Sequence, residues 1–220
     1  MSIKVVEYFI DNELVDYPFS IDFMEKKVES IHNNTSREFI WFLEHDHIYT
    51  AGTSSKASDL VEKNKFKVYE SSRGGQYTYH GPGQRVIYLM LNIRKNGYDI
   101  RKFISMLEQW IIVSLSDIGL KATKDRSHVG IWVREEKSLK KISSIGLRVR
   151  KGITFHGVSL NLNPNLENFK GINPCGNNPN EMTSLKEMGL EKEIKNIDKL
   201  LINNFEKIFN SSLKPMKVLK

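Results

Sequence analysis

The run VIYLMLNI at residues 86–93 most constrains what this chain can fold into: it holds a single strongly polar side chain, Asn92, so no polar face is left for water. A half-buried strand alternates and an amphipathic helix keeps a polar stripe, whereas a continuous apolar run of strand length suits the centre of a sheet covered on both faces. Periodicity alone leaves a buried helix open, but the surroundings are rich in strand signals. IKVVEYFI (3–10), EFIWFLEH (38–45), FKVYESS (66–72), VGIWVRE (129–135), KISSIGLRVR (141–150) and ITFHGVSLNLN (153–163) all read as strands. Three amphipathic segments supply the cover. YPFSIDFMEKKVESI (17–31) places Phe19, Phe23, Val28 and Ile31 near helical spacing. Asp99 suits the N-cap of a helix to about Ile118, with Gly119 placed to stop it, and a last helix falls near 192–210. The expected fold class is α/β (α+β): one domain over residues 1–220, a mixed β-sheet with flanking helices.

With 220 residues, 40% of them hydrophobic, the chain can bury one sizeable core, and no shift in composition marks a linker. One cysteine rules out an intramolecular disulfide. The opening MSIKVVEYFIDNELVDYP has acidic residues where a signal peptide needs an apolar stretch, and no apolar run approaches a membrane span, so a cytoplasmic protein is expected. The net charge of +7 favours acidic partners. Nucleic acid is not the expected one, because the basic residues are scattered, with only short clusters such as RVRK (148–151) and no aromatic interleaving.

Four polar, glycine-containing stretches interrupt the pattern: EHDHIYTAGTSS (44–55), RGGQYTYHGPGQ (73–84), KISSIGLRVRKGITFHGVS (141–159) and INPCG (172–176). Taken singly each has a plain structural reading, as a turn, a strand end, a solvated lysine or a core histidine. Glycine and proline around one arginine and one histidine in 73–84 suit a backbone that closely approaches a ligand. The stretch matches neither a phosphate loop nor a dinucleotide fingerprint. His45 and His47 flank Asp46, but two histidines at i and i+2 without a second cluster make a poor metal site, and no metal or other cofactor is expected. The cysteine lies between Pro174 and Gly176 in an asparagine-rich segment, and reads as a side chain presented by a shaped loop.

In that order and spacing, RGGQYTYHGPGQ, KISSIG, TFHGVSLN and INPCG, with FLEHDHIYTAGTS near residue 50, resemble the signatures of the lipoyl(octanoyl) transferase family over roughly residues 40–180. The resemblance implies the fold of the biotin and lipoate protein ligase catalytic domains. It implies transfer of an octanoyl group from octanoyl-acyl carrier protein to a lysine of lipoyl domains, those of 2-oxoacid dehydrogenase complexes and of the glycine cleavage H protein. It also implies roles: Cys175 as the acyl-thioester nucleophile, and Lys141 as the lysine that lowers its pKa. Acyl binding would fall to Arg73, Gly74, Gly75, Gln76, Tyr77, Thr78, Tyr79 and His80, to Ser144, Ile145 and Gly146, and to Gly157, Val158 and Ser159.

The chemistry is consistent with those residue types. A thiolate exchanges with a thioester at little thermodynamic cost, and a neighbouring ammonium that lowers a thiol pKa of about 8.5 by one or two units raises the reactive fraction at pH 7 about tenfold. Backbone N–H groups at Cys175–Gly176, or the Thr78 hydroxyl, are candidates to hold the oxyanion. His80 or His156 pairing with Cys175, as in cysteine hydrolases, is a lower-ranked alternative. An ATP-dependent lipoate or octanoate ligase on the same fold is another, but such ligases favour a GGGAVYHD-like string where this chain has GGQYTYHG.

Overall fold

The computed structural model describes residues 3–125, 129–135, 138–174 and 181–217. The apolar run lies in strand β6 (Gln84–Met90) as far as Met90, near the middle of an eight-stranded mixed sheet, and residues 91–93 continue past the strand's end. The other strands of this sheet are β1 (Lys4–Val15), β2 (Phe39–His45), β7 (Ala122–Lys124), β8 (Ile131–Glu135), β9 (Ser138–Arg150), β10 (Ile153–Asn161) and β11 (Ser211–Pro215), in the order β11-β1-β2-β6-β10-β9-β8-β7. β1 runs parallel to β2 and β11, while the pairs from β2 through β7 are antiparallel.

Strand alternation explains why β6 tolerates no polar face. Ile87 and Leu89 point to one side, into a core with helices α2 (Ile100–Ser116) and α3 (Ile197–Phe209). Val86, Tyr88 and Met90 point to the other, against Met24, Val28 and Ile31 of helix α1 (Tyr17–His32). The helix limits follow local chemistry. Asp99 caps α2 by accepting from Lys102 N at 2.8 Å, Asp16 caps α1 by accepting from Phe19 N at 3.1 Å, and Gly119 adopts a left-handed φ of 82° just past α2.

The polar stretches at 44–55 and 73–84 also contain strands that their composition did not announce. β3 (Ile48–Ala51) pairs with β4 (Lys67–Glu70) and β5 (Tyr77–His80) in a separate three-stranded sheet, order β4-β3-β5. Four residues are too few to establish a period of two. Its outer face is an aromatic cluster of Tyr49, Tyr77, Tyr79 and Phe169, with Ile172 packed against it, tied by hydrogen bonds from Tyr49 Oη to the Asn168 carbonyl (2.7 Å) and from Asn168 Nδ2 to Tyr79 Oη (3.0 Å).

Candidate active site

Between the three-stranded sheet and the α1 face of the large sheet lies a narrow cavity, open at its mouth. Three of the segments singled out in the sequence meet there. β5 contributes Thr78 and His80, and the turn before it Arg73, Gly74 and Gly75. β9 contributes Ser144, Ile145 and Gly146, which face Ser159, Val158 and Gly157 of β10 in register. Val86 and Tyr88 of β6, Tyr17 of α1 and His156 complete the wall. Tyr77 and Tyr79 do not line it, since alternation along β5 turns them into the aromatic cluster on the opposite face. Gln76 is half-buried beside the strand and also lies off the wall.

Arg73 is fixed by its own sheet: Nη2 donates to the carbonyl and the hydroxyl of Thr50, both at 2.8 Å, and Nη1 to the Gly74 carbonyl at 3.0 Å. Three histidines cluster against the cavity. His45 Nδ1 donates to the Val15 carbonyl (2.7 Å), and its Nε2 contacts Tyr88 Oη at 2.7 Å. Burial holds it neutral, its pKa lowered to about 4. Burial, with the charges of Arg73 and Arg148, lowers His156 to about 3, and it sits at a left-handed φ of 59° within β10. His80 is also pushed well below 6.5 by burial, with His45 and Arg73 adding to the effect. Groups this reluctant to take a proton are poor general bases at neutral pH. His47, the other histidine of the HDH triplet, stacks on Phe66 and hydrogen-bonds Tyr79 Oη at 2.7 Å, so it does not converge with His45 on a common point. Among the described residues no group of three or more His, Cys, Asp or Glu side chains could hold a metal ion, and no helix is long and apolar enough to cross a membrane.

Lys141 reaches this side of the sheet through an irregularity. Ile131 pairs with Ser143 but Trp132 pairs with Lys141, so β9 carries one extra residue, Ile142, at a β-bulge. Ser143 lies opposite Leu160, on the helix face, and Ile142 packs into the α2/α3 core; simple alternation would have turned Lys141 the same way as Ser143. The bulge instead puts it on the face of Ser144 and Gly146. There it is 2% exposed, with Nζ 5.3 Å from the centroid of the Trp132 ring.

Residues 175–180, Cys175 among them, lie outside the described residues. Both flanks of that segment are anchored. Upstream, Asn173 N donates to the Asp59 carbonyl (2.8 Å) and Ile172 bridges Leu60. Downstream, Met182 bridges Lys141, and Thr183 N donates to the Lys141 carbonyl at 2.9 Å. The chain that leaves residue 174 therefore rejoins the described structure at Lys141.

The mixed sheet, its flanking helices and the mostly apolar slot against the smaller sheet define an α/β domain of the lipoate protein ligase fold. The chain belongs to the lipoyl protein ligase A/B catalytic domain family, whose model matches residues 16–206. It is 44% identical over 213 residues to an octanoyltransferase of Bartonella henselae, covering 93% of this chain and 87% of that one. It is also 44% identical over 206 residues to an octanoyltransferase of a Wolbachia sp. subsp. Brugia malayi, covering 93% and 100%. Among solved structures, a lipoate-protein ligase A bound with ATP shares the fold at a TM-score of 0.67 and 16% identity, covering 100% of this chain and 91% of that one. A bipartite lipoate protein ligase of Thermoplasma acidophilum, described with its E2 lipoyl domain, does so at 0.63 and 15%, covering 100% and 89%.

Proposed function

We propose that this chain is an octanoyltransferase that moves an octanoyl group from octanoyl-acyl carrier protein to the lysine amine of a lipoyl domain through a thioester on Cys175. Octanoyl transfer follows from family membership and from octanoyltransferases 44% identical over nearly the whole chain. The observation that carries the mechanism is the meeting of three glycine-containing segments around one mostly apolar cavity, with Lys141 re-aimed to the same face and hydrogen-bonded to the segment that follows Cys175.

In the first step the Cys175 thiolate attacks the donor thioester, a new Sγ–C bond forms, the donor S–C bond breaks, and the carrier sulfur leaves as a thiol after taking a proton from the Lys141 ammonium. The Lys141 ammonium favours the thiolate. Each methylene of the acyl tail buried in the cavity contributes about 0.8 kcal/mol to binding. In the second step the acceptor amine attacks the Cys175 thioester, forming the amide and returning the thiolate. With the thiolate's charge removed by acylation, Lys141 in its buried position is suited to become neutral and accept the amine proton. Amide formation from a thioester is downhill, so ATP is not consumed.

Intact-protein mass spectrometry after incubation with octanoyl-acyl carrier protein, without ATP, tests this reading. One hydroxylamine-labile octanoyl group on the wild type, absent from Cys175→Ser and discharged by a lipoyl domain, is the expected result. Transfer that needs ATP and free octanoate, with no adduct, would replace this reading with a ligase.

A further inference from the structure

On the wall of the cavity a buried hydrogen-bond chain runs from His80 to the strand of Lys141. His80 Nδ1 lies 2.6 Å from Gln84 Oε1, Gln84 Nε2 lies 2.9 Å from Asn161 Oδ1, and Asn161 Nδ2 lies 2.9 Å from the Thr183 carbonyl. Thr183 N in turn donates to the Lys141 carbonyl at 2.9 Å. Gln84 and Asn161 face each other across β6 and β10, and each is at most 2% exposed.

The direction of every bond is fixed from one end. A carbonyl oxygen only accepts, so Asn161 presents its NH₂ to Thr183 and its oxygen to Gln84. Gln84 then presents its NH₂ to Asn161 and its oxygen to His80. The only hydrogen that completes the chain is one on Nδ1 of His80, which leaves Nε2 as the acceptor of a neutral ring. His45 differs in this respect, since both of its nitrogens are engaged within the fold. The far end of the chain is equally specific: Thr183 belongs to the stretch that carries the polypeptide back from Cys175, and it is held by Asn161 from one side and by Lys141 from the other.

We propose that Gln84 and Asn161 are positioning residues for acyl transfer, fixing His80 in its Nδ1–H tautomer at the cavity wall and holding the downstream flank of Cys175 against Lys141. This rests on the transfer reading for its consequence and on the hydrogen bonds alone for its geometry. The low proton affinity of His80 agrees with a ring that accepts a hydrogen bond without taking up the proton. Both residues lie inside the motif strings TYHGPGQ and TFHGVSLN, but each reaches the site only through a neighbour.

The test uses the full chain labelled with ¹⁵N-histidine and long-range ¹H–¹⁵N correlation at pH 7, with His80 assigned by the signal lost in His80→Gln. The expected pattern is a protonated Nδ1 and a bare Nε2; a protonated Nε2, or a mixture of tautomers, would overturn the proposal whatever the enzyme does. Two variants separate the two ends. Gln84→Met keeps the tie to Thr183 and frees the tautomer. Asn161→Asp keeps an acceptor for Gln84, and so the tautomer, but has no hydrogen for the Thr183 carbonyl. Each is expected to slow single-turnover transfer about 10–100-fold, the cost of a small misplacement at a reacting centre, with KM for the octanoyl donor within about twofold. A folded variant with unchanged kcat would also overturn the proposal. A wild type with the expected tautomer but no transfer from octanoyl-acyl carrier protein would leave the geometry standing and count against the transfer reading. If a variant fails to fold, the wild-type tautomer still decides.

Discussion

Three buried histidines set how this fold responds to acid. His45, His80 and His156 are neutral in the folded chain because burial disfavours the imidazolium, and each has an ordinary affinity for protons once unfolded. Well above pH 6.5 neither state binds the proton and the histidines are silent. As pH falls below 6.5 the unfolded chain takes up protons that the folded one refuses, so stability present above 6.5 drains away until the folded pKa is reached, about 4 for His45 and about 3 for His156. A gap from 6.5 to about 4 is on the order of 3 kcal/mol for His45 alone. The expected outcome is a urea midpoint that falls steeply between pH 7 and pH 5, where few carboxylates titrate. An unchanged midpoint over that range would mean that these rings are protonated or solvated in the fold. The same property bears on chemistry, because rings that resist protonation are poor general bases near neutral pH.

At the level of elements, what the sequence disclosed tracks how many residues share one period. β6 was legible because an apolar run covered on two faces has few other places to go, and α2 because its stripe extends over several turns behind an Asp99 cap. β3 and β5 were not, because four-residue strands inside glycine-rich text carry no measurable alternation, and with them went the facing of Tyr77 and Tyr79. The bulge at Ile142 was also hidden: counting by twos from Ser144 sends Lys141 to the helix face. The motif strings found most of the cavity wall even so, while Gln84 and Asn161 were passed over because they touch the site through partners. The bulge gives an element-scale prediction. Gly130, entering β8 at a φ of 131°, has no room for a Cβ, which would lie 2.5 Å from Lys141 Cε and 2.7 Å from the Ser143 carbonyl oxygen. Gly130→Ala must shift the bulge, and about a 10–100-fold loss of kcat is expected. Gly119→Ala, also at positive φ but with nothing within 4 Å of its added methyl, is the matched control. Both should lower the melting temperature through backbone strain, and only the first should lower kcat; equal activity in the two would dissociate the bulge from catalysis.

At the scale of the molecule, the surplus of 33 Lys and Arg over 26 Asp and Glu calls for a role that the cavity does not supply. Several of the described cations are held in local ion pairs, such as Lys151 with Glu29 at 2.7 Å and Lys170 with Glu167 at 2.7 Å. Those exposed pairs contribute little to stability and neutralise one another seen from a distance, so the net +7 is what an approaching partner meets. Both proposed substrates arrive on protein carriers, and acyl carrier proteins and lipoyl domains are typically acidic. Complementary charge mainly speeds encounter, while contacts made inside the cavity set how tightly the acyl chain is held. Salt should therefore act on association and spare chemistry. Raising ionic strength from about 0.01 M to 0.15 M shortens the screening length from about 30 Å to about 8 Å, and kcat/KM for octanoyl-acyl carrier protein should fall several-fold while kcat stays nearly constant. A small octanoyl thioester without the acidic carrier should show no such dependence. A kcat/KM with the carrier protein that ignores salt would mean that the positive balance serves the solubility of the surface and not the capture of the donor.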